Sequence, residues 1–322
     1  MQELISIIMA AYNAEPFIGQ AIESILAQTY ENTELIIVND ASTDQTEIVC
    51  RHYSEKDKRI KIVSKTTNEG LAAARKTGVL HASGDYVGFV DADDTIEPDM
   101  YEQLLTIAKQ YRADISHCGY TMILPDGQKK LFYGTQQTIE QSHEKGLIDL
   151  LEAKFVEPTT CTKLYKRSLF DGLQYVTEIS INEDLMLNYL LFSKSQKSIY
   201  YDVCKYNYWK REGSMSRSVS IRHLTDPTFV KERIYSDSRS SESEAVQRAA
   251  GNRLVSQYIM NCFALKKGDF KEHKHLFGEY RNKLKSLYKT CDLSKNERVK
   301  MNIILYAPWL CKTVDRLYRR FS

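Results

Sequence analysis

Leu4-Ile5-Ser6-Ile7-Ile8-Met9 is a β-rich run followed by a helical pattern at Ile18–Gln28. The exchange repeats at Leu35–Val38 with Thr43–Ser54 and at Ile60–Val63 with Leu71–His81, and it closes on Tyr86–Val90. Short strands alternating with amphipathic helices require right-handed crossovers, so the reading is an α/β domain, a Rossmann-like mixed, mainly parallel sheet flanked by helices.

Ligands of open α/β sheets sit at the carboxyl ends of the strands. The residues to inspect are therefore Tyr12 and Asn13, Asn39 and Asp40, Asn68 with Gly70, and the acids after Val90. Ala10-Ala11-Tyr12-Asn13-Ala14-Glu15 has no G-x-G-x-x-G fingerprint, which argues against dinucleotide and hydride chemistry. Outward from this core the sequence predicts a helix at Met100–Tyr111, a strand near Ile115–Met122 and a turn at Pro125-Asp126-Gly127. A block at 142–218 mixes helices with short aromatic strands, and from Arg222 onward the pattern is helical, with Ser236–Glu244 as a soft joint. The expected division is a catalytic domain over 1–220 and a helical C-terminal accessory region over 221–322.

Lysine and arginine number 44 against 42 acids in 322 residues, so no overall basic charge points to nucleic acid. The seven cysteines form no Cys-x-x-Cys pair, which disfavours a disulfide framework or a thiolate zinc site. The apolar N-terminal run is too short for a signal segment, and no run reaches the roughly 18–20 apolar residues of a spanning helix. A cytoplasmic protein is the expectation.

The densest chemical signal is Gly84-Asp85-Tyr86-Val87-Gly88-Phe89-Val90-Asp91-Ala92-Asp93-Asp94. Residues two apart in extended chain point the same way, so Asp91 and Asp93 aim together while Asp94 faces the other side. Two like charges so placed call for a cation, and an all-oxygen site completed by substrate phosphates suits Mg²⁺ or Mn²⁺. The competing reading is that the acids cap the following helix, a role to which Asp94 is equally suited.

Taken with Ile7-Ile8-Met9-Ala10-Ala11-Tyr12-Asn13, Glu34–Asp44 and Asn68-Glu69-Gly70-Leu71-Ala72-Ala73-Ala74-Arg75, this cluster resembles the inverting family 2 glycosyltransferases of GT-A fold. The likeness covers about the first hundred residues in the family's order. It implies that Ala11, Tyr12, Asn13, Asp40, Asn68 and Ala92 surround the nucleotide, with Asp40 on the base edge. It also implies that Arg75 lies beside the base or the diphosphate, that Asp91 contacts ribose, and that Asp93 ligates the metal. Where the family often carries Thr or Ser, this chain has Ala11, so one hydroxyl contact is missing. Without the resemblance, Asp40 and Asp44 read as turn and capping residues and Arg75 as a solvated helix residue.

An inverting sugar transfer needs a carboxylate to take the acceptor's proton. Ile181-Asn182-Glu183-Asp184-Leu185 opens an apolar helix with an acidic pair and matches the family's Glu-Asp motif, which makes Asp184 the implied base and Glu183 an acceptor-side or capping residue. Alone, such a pair is also what the helix dipole favours. Downstream, Trp209 ends an aromatic strand suited to packing on a sugar ring on the acceptor or flap side. Arg211, Ser214 and Ser216 match the family's flexible flap over the nucleotide, the alternative being a surface hairpin with Trp209 in the core. Thr160–Lys166 also resembles a family segment, with no role assigned.

Arg298–Phe321 places apolar residues at helical spacing with Lys312, Arg316 and Arg319 on another face and Pro308 as a break. It is a candidate for peripheral contact with the inner membrane face, against the plainer reading of a helix packed on the catalytic domain. The two-helix content of 222–322 equally suits a homodimer contact. The implied activity is hexosyl transfer from a nucleotide sugar, UDP by family habit, to a glycan, lipid-linked or glycoprotein acceptor in bacterial surface-glycan assembly. Two rivals stand: a sugar nucleotidyltransferase, disfavoured because no Gly-rich loop follows the first strand, and a non-catalytic carbohydrate-binding scaffold.

Overall fold

The computed structural model describes residues 2–132, 134–211, 220–267, 270–288, 291–311 and 313. Its contacts divide the chain into two compact units, Met1–Ser218 and Val219–Ser322.

The first unit opens as β1 (Ile5–Ala11), α1 (Ile18–Leu26), β2 (Thr33–Asn39), α2 (Thr46–Lys56), β3 (Ile60–Ser64), α3 (Leu71–Leu80) and β4 (Tyr86–Phe89). It continues as β5 (Thr95–Ile96), α4 (Met100–Tyr111), β6 (Ile115–Ile123), β7 (Lys129–Leu131), β8 (Thr138–Ser142), α5 (His143–Glu152), β9 (Lys163–Lys166), α6 (Glu183–Lys194) and β10 (Lys197–Trp209). The sheet runs β3-β2-β1-β4-β9-β6-β10-β5, with β7 on β6 and β8 on β10. The β3-β2-β1-β4 portion is parallel, whereas β9 is antiparallel to both β4 and β6. The sheet is therefore mixed: β6 and β10 also pair in parallel, and antiparallel β9 stands between them and the N-terminal parallel strands.

The local reasons are plain. β1 is flanked by β2 and β4, and its apolar side chains Ile5, Ile7, Ile8 and Met9 are buried on both faces, as parallel strands covered by helices demand. In α1, Ile18, Ala21, Ile22 and Ile25 are buried at helical spacing. Gly70, at φ 88°, holds the turn into α3, a conformation that glycine reaches without a Cβ clash. Because β2, β1 and β4 are parallel neighbours, their carboxyl ends bring Asp40, Tyr12 and the Asp91–Asp94 segment to one edge. The expected strands and helices through Tyr111 are present, with ends differing by a few residues, α2 starting at Thr46 rather than Thr43, and the short unforeseen strand β5 added ahead of α4.

The second unit holds α7 (Arg222–Ser241), α8 (Glu244–Lys267), α9 (His275–Leu287) and α10 (Lys295–Tyr306). Leu254, Tyr258, Leu284, Met301 and Ile304 share its core. The sequence suggested two helices, and the described residues of this unit form four α-helices. The joint expected over Ser236–Glu244 narrows to Glu242 and Ser243, because α7 continues through Ser241. Ser294 and Glu297 form a capping box that starts α10. The helix ends at Tyr306, ahead of a short 3₁₀ turn at Pro308–Leu310, as a proline break requires. Lys312, Arg316 and Arg319 lie outside the described residues.

β4 carries the acidic segment, and its position depends on close packing under α4. A Cβ at Gly88 would stand 2.5 Å from the Tyr101 ring. Tyr101 is buried. Gly88→Ala is expected to destabilise the fold by about 1–3 kcal/mol through overpacking, measured by urea denaturation. A wild-type midpoint would contradict this packing.

Candidate active site

Arg75 emerges from α3 into the interior, with only 3% of its side chain exposed. Its Nη2 donates to Asp91 Oδ1 at 3.0 Å, and its Nη1 donates to Asp184 Oδ1 and lies 3.7 Å from Glu183 Oε1. Phe89 lies beneath the guanidinium, 6.0 Å from ring centroid to Cζ. A residue that helix periodicity would leave in solvent is thus buried among three carboxylates. Its contacts are with these carboxylates, from the strand-end acids on one side and the acidic pair of α6 on the other.

Asp184 and Glu183 begin α6, where the first-turn amides favour negative charge. Burial pushes the Asp184 carboxyl upward, while Arg75, the Thr160 hydroxyl and Lys163 pull it down. The Thr160 bond is 3.0 Å long. Glu183 is raised by burial and then by the Asp184 charge, with Arg75 opposing. Such a pair holds one carboxylate ionised against the guanidinium and makes the other readily protonated.

The strand-end acids are sorted by their partners. Asp93 is 47% exposed, and its carboxyl is raised by burial and by the neighbouring Asp91 charge. Arg211 donates to the Asp93 carbonyl, its Nε lies 4.0 Å from Asp93 Oδ2, and its guanidinium stacks 3.6 Å over Phe17. Asp94 is buried and accepts from Tyr206 Oη at 2.7 Å and from the Trp209 amide at 2.9 Å. The helix-capping role considered for Asp94 is therefore overturned: β5 intervenes, and Asp99 occupies the cap position of α4. Asp94 instead ties the acidic segment to β10, and burial with the Asp91 and Asp93 charges raises its carboxyl strongly. Trp209 follows it into this junction, its indole donating to Thr95 Oγ1 at 3.1 Å.

The remaining sequence candidates lie as follows. Tyr12 is about half exposed at the end of β1, while Ala11 and Ala92 are buried. Asn13, at φ 48°, accepts from the Thr43 amide at 2.8 Å and so joins the loops after β1 and β2. Asp40 accepts from the Glu69 and Gly70 amides and is ion-paired with Lys65, which pins the entry to α3. Asn68 braces the same turn by accepting from the Gly70 amide at 3.2 Å. Asp44 accepts from the Thr46 amide and hydroxyl two residues on, a turn just ahead of α2, whose cap position is held by Gln45 instead. Ser214 and Ser216 lie outside the described residues.

Sequence reasoning quoted the Thr160–Lys166 segment without a role. Thr160 touches Asp184, and Lys163 is fully buried with its ammonium on backbone carbonyls. The sequence signal was weak, because Lys163 and Lys166 both flank the apolar centre of β9 and only Lys163 is buried.

Among the described residues no group of three or more His, Cys, Asp or Glu forms a cage for a metal. A cation held by Asp93 together with substrate phosphates needs no such cage. Asp93 fits that use, because its carboxylate is half exposed and raised by burial and by the neighbouring Asp91 charge, whereas Asp94 is occupied by Tyr206 and Trp209.

The glycosyl transferase family 2 model matches residues 6–173, and the chain belongs to that family. Relatives include glycosyltransferase GlyA of Streptococcus pneumoniae, 35% identical over 228 residues, which cover 67% of this chain and 32% of that protein. EpsJ of Bacillus subtilis, an uncharacterized glycosyltransferase, is 32% identical over 226 residues, covering 67% of this chain and 64% of that one. The chain thus spans less than two thirds of the length of these relatives. In structure it resembles Staphylococcus aureus TarS 1-349 in complex with UDP-GlcNAc, with a TM-score of 0.71 and 20% identity, covering 99% of this chain and 92% of that one. At that identity the likeness is one of fold, the GT-A arrangement.

Removing the guanidinium leaves Asp91, Glu183 and Asp184 facing one another. Arg75→Met is expected to cost about 2–4 kcal/mol near neutral pH, toward the low side for a broken buried pair because Asp91 and Asp184 keep some solvent. Without Arg75 these carboxylates protonate more readily, so the penalty shrinks as pH falls. Denaturation curves at pH 8 and pH 5 check this; an equal loss at both would contradict the charge network.

Proposed function

We propose that the chain is an inverting, hexosyltransferase-type enzyme that moves a sugar from a nucleotide sugar, UDP-linked in the favoured reading, to an acceptor hydroxyl. The observation that carries this reading is Arg75 joining the strand-end Asp91 to Asp184 at the head of α6. It brings a donor-side acid and a candidate base against one cation. Tyr12, Asn13, Asp40, Asn68, Ala11 and Ala92 are assigned to the nucleotide pocket, and Asp91 to ribose.

The step is a single displacement. Asp184 takes the acceptor's hydroxyl proton as that oxygen bonds to the anomeric carbon. The bond from that carbon to the diphosphate oxygen breaks on the opposite face, and its electron pair leaves with the diphosphate. Mn²⁺ or Mg²⁺ on Asp93 would supply Lewis-acid neutralisation of the diphosphate. Arg211 brings a second positive charge to the same segment, and Glu183 with Trp209 faces the acceptor side or flap, to which Ser214 and Ser216 are also assigned by their motif.

The relatives' names support surface-glycan assembly: one is the Bacillus subtilis minor teichoic acid biosynthesis protein GgaB, 29% identical over 66% of this chain. The acceptor is then a glycan, lipid-linked or protein-linked. The reading places the enzyme in the cytoplasm at the inner membrane face, as a candidate homodimer, with domains dividing near residue 220. No helix among the described residues is long and apolar enough to cross a membrane. Exposed Tyr306, Trp309 and Leu310 support peripheral contact.

Nucleoside diphosphate release from UDP-, GDP-, CDP- and dTDP-sugars tests the assignment. One donor is expected to turn over only with Mn²⁺ or Mg²⁺, chelation abolishing the rate and the metal restoring it. Asp184→Asn is expected to lower the rate about 10²–10⁴-fold, and Asp93→Ala to remove the metal response. Turnover that ignores metal, or survives both substitutions, would contradict it. In a separate flotation assay with anionic liposomes, full-length protein is expected to float and the Tyr306→Ala/Trp309→Ala variant to remain below; equal flotation would reject the membrane contact.

A further inference from the structure

The two carboxylate oxygens of Asp184 are not equivalent. Oδ1 accepts from Arg75 Nη1 and, at 3.0 Å, from Thr160 Oγ1. Among the described residues, no hydrogen bond is made to Oδ2, and 24% of the side chain is exposed. A carboxylate anchored through one oxygen presents the other in a fixed direction.

Thr160 is fully buried, and the loop that carries it is held from two sides. Lys163 Nζ, itself fully buried, donates to the carbonyls of Glu157 at 2.7 Å and Thr159 at 2.5 Å. From α6, one turn beyond Asp184, Asn188 Nδ2 donates to the Pro158 carbonyl at 2.7 Å. Tyr165 Oη fixes that amide by donating to Asn188 Oδ1 at 2.8 Å. The hydroxyl is thereby presented to Asp184 by a loop clamped both to the sheet and to the helix that bears the acid.

The geometry assigns Thr160 as a positioning residue for sugar transfer: with Arg75 it pins Oδ1 of Asp184 and leaves Oδ2 as the atom that takes the acceptor's proton. This rests on the reading of Asp184 as the base. The charged and titratable groups facing Asp184 are Arg75 from α3, Asp91 beyond β4, Cys161, Lys163 and Tyr165 at β9, and Glu183 on its own helix. Thr160 is the neutral member, so its removal changes hydrogen bonding without changing charge. Its bond favours the ionised carboxylate, and its loss therefore raises the carboxyl and moves the acidic limb of the kcat profile to higher pH.

Thr160→Val and Thr160→Ser, each alone and combined with Asp184→Asn, test this through kcat, donor KM, nucleotide Kd and the kcat–pH profile. Thr160→Val is expected to lower kcat about ten- to hundred-fold, as for loss of a hydrogen bond to a charged group, with donor KM and nucleotide Kd unchanged. The acidic limb shifts upward, Thr160→Ser restores both, and Thr160→Val has no further effect on the residual rate of Asp184→Asn. A wild-type kcat and acidic limb in Thr160→Val, a loss that serine does not rescue, or an undiminished loss in the Asp184→Asn background would overturn the assignment. Asp184→Asn retaining the full rate would instead mark failure of the base reading itself.

Discussion

A buried guanidinium among three carboxylates is the constraint around which the first unit is arranged. Burying Arg75 is costly unless charge and hydrogen bonds are returned to it. The return comes from separate parts of the chain: Asp91 beyond β4, and Glu183 with Asp184 at the head of α6. Each sits on an element fixed by apolar burial, so the ion cluster is held by the core beneath it. The α3 helix that carries Arg75 is in turn set by Gly70 and by the Asp40 carboxylate receiving the amides of Glu69 and Gly70.

The acid count around this cation explains the rest of the site. Asp91, Asp93, Asp94, Glu183 and Asp184 outnumber Arg75, Arg211 and Lys163. Asp94 is removed from the competition by its bonds to Tyr206 and Trp209, which join the acidic segment to β10. Asp93 is left with Arg211 only at 4.0 Å. In the proposed reading a diphosphate, itself anionic, lies beside Asp91 and Asp93 and calls for a cation between. This electrostatic demand, rather than a preformed cage, makes metal use reasonable here.

What the sequence disclosed follows from what is local. The strands β1, β2 and β4 are mostly apolar runs because neighbours and helices cover them, whereas edge strand β3 is only partly buried, and the helices between show their buried faces as periodicity. The limits of α4 at Met100 and Tyr111 could be read directly. Arg75 could not be read as buried from its helix, because its partner Asp184 lies 109 residues away. Asp94 looked like a cap for the same reason: the Trp209 amide that claims it is 115 residues distant. Thr160 and Lys163 sat in a segment of recognisable pattern, yet a hydroxyl aimed at a distant carboxylate leaves no periodic trace. The C-terminal joint was overextended because serine and glutamate suit a solvated helix face as well as a linker, and α7 takes most of them.

The account's central claim is a single displacement with Asp184 as the base. The direct measurement is the anomeric configuration of the product, read from the ¹H coupling constant of the new glycosidic centre when a donor of known anomer is used. Inversion relative to the donor is the predicted result. Retention would require a second displacement and an intermediate for which this arrangement of Arg75, Asp91 and Asp184 assigns no nucleophile, and it would contradict the account.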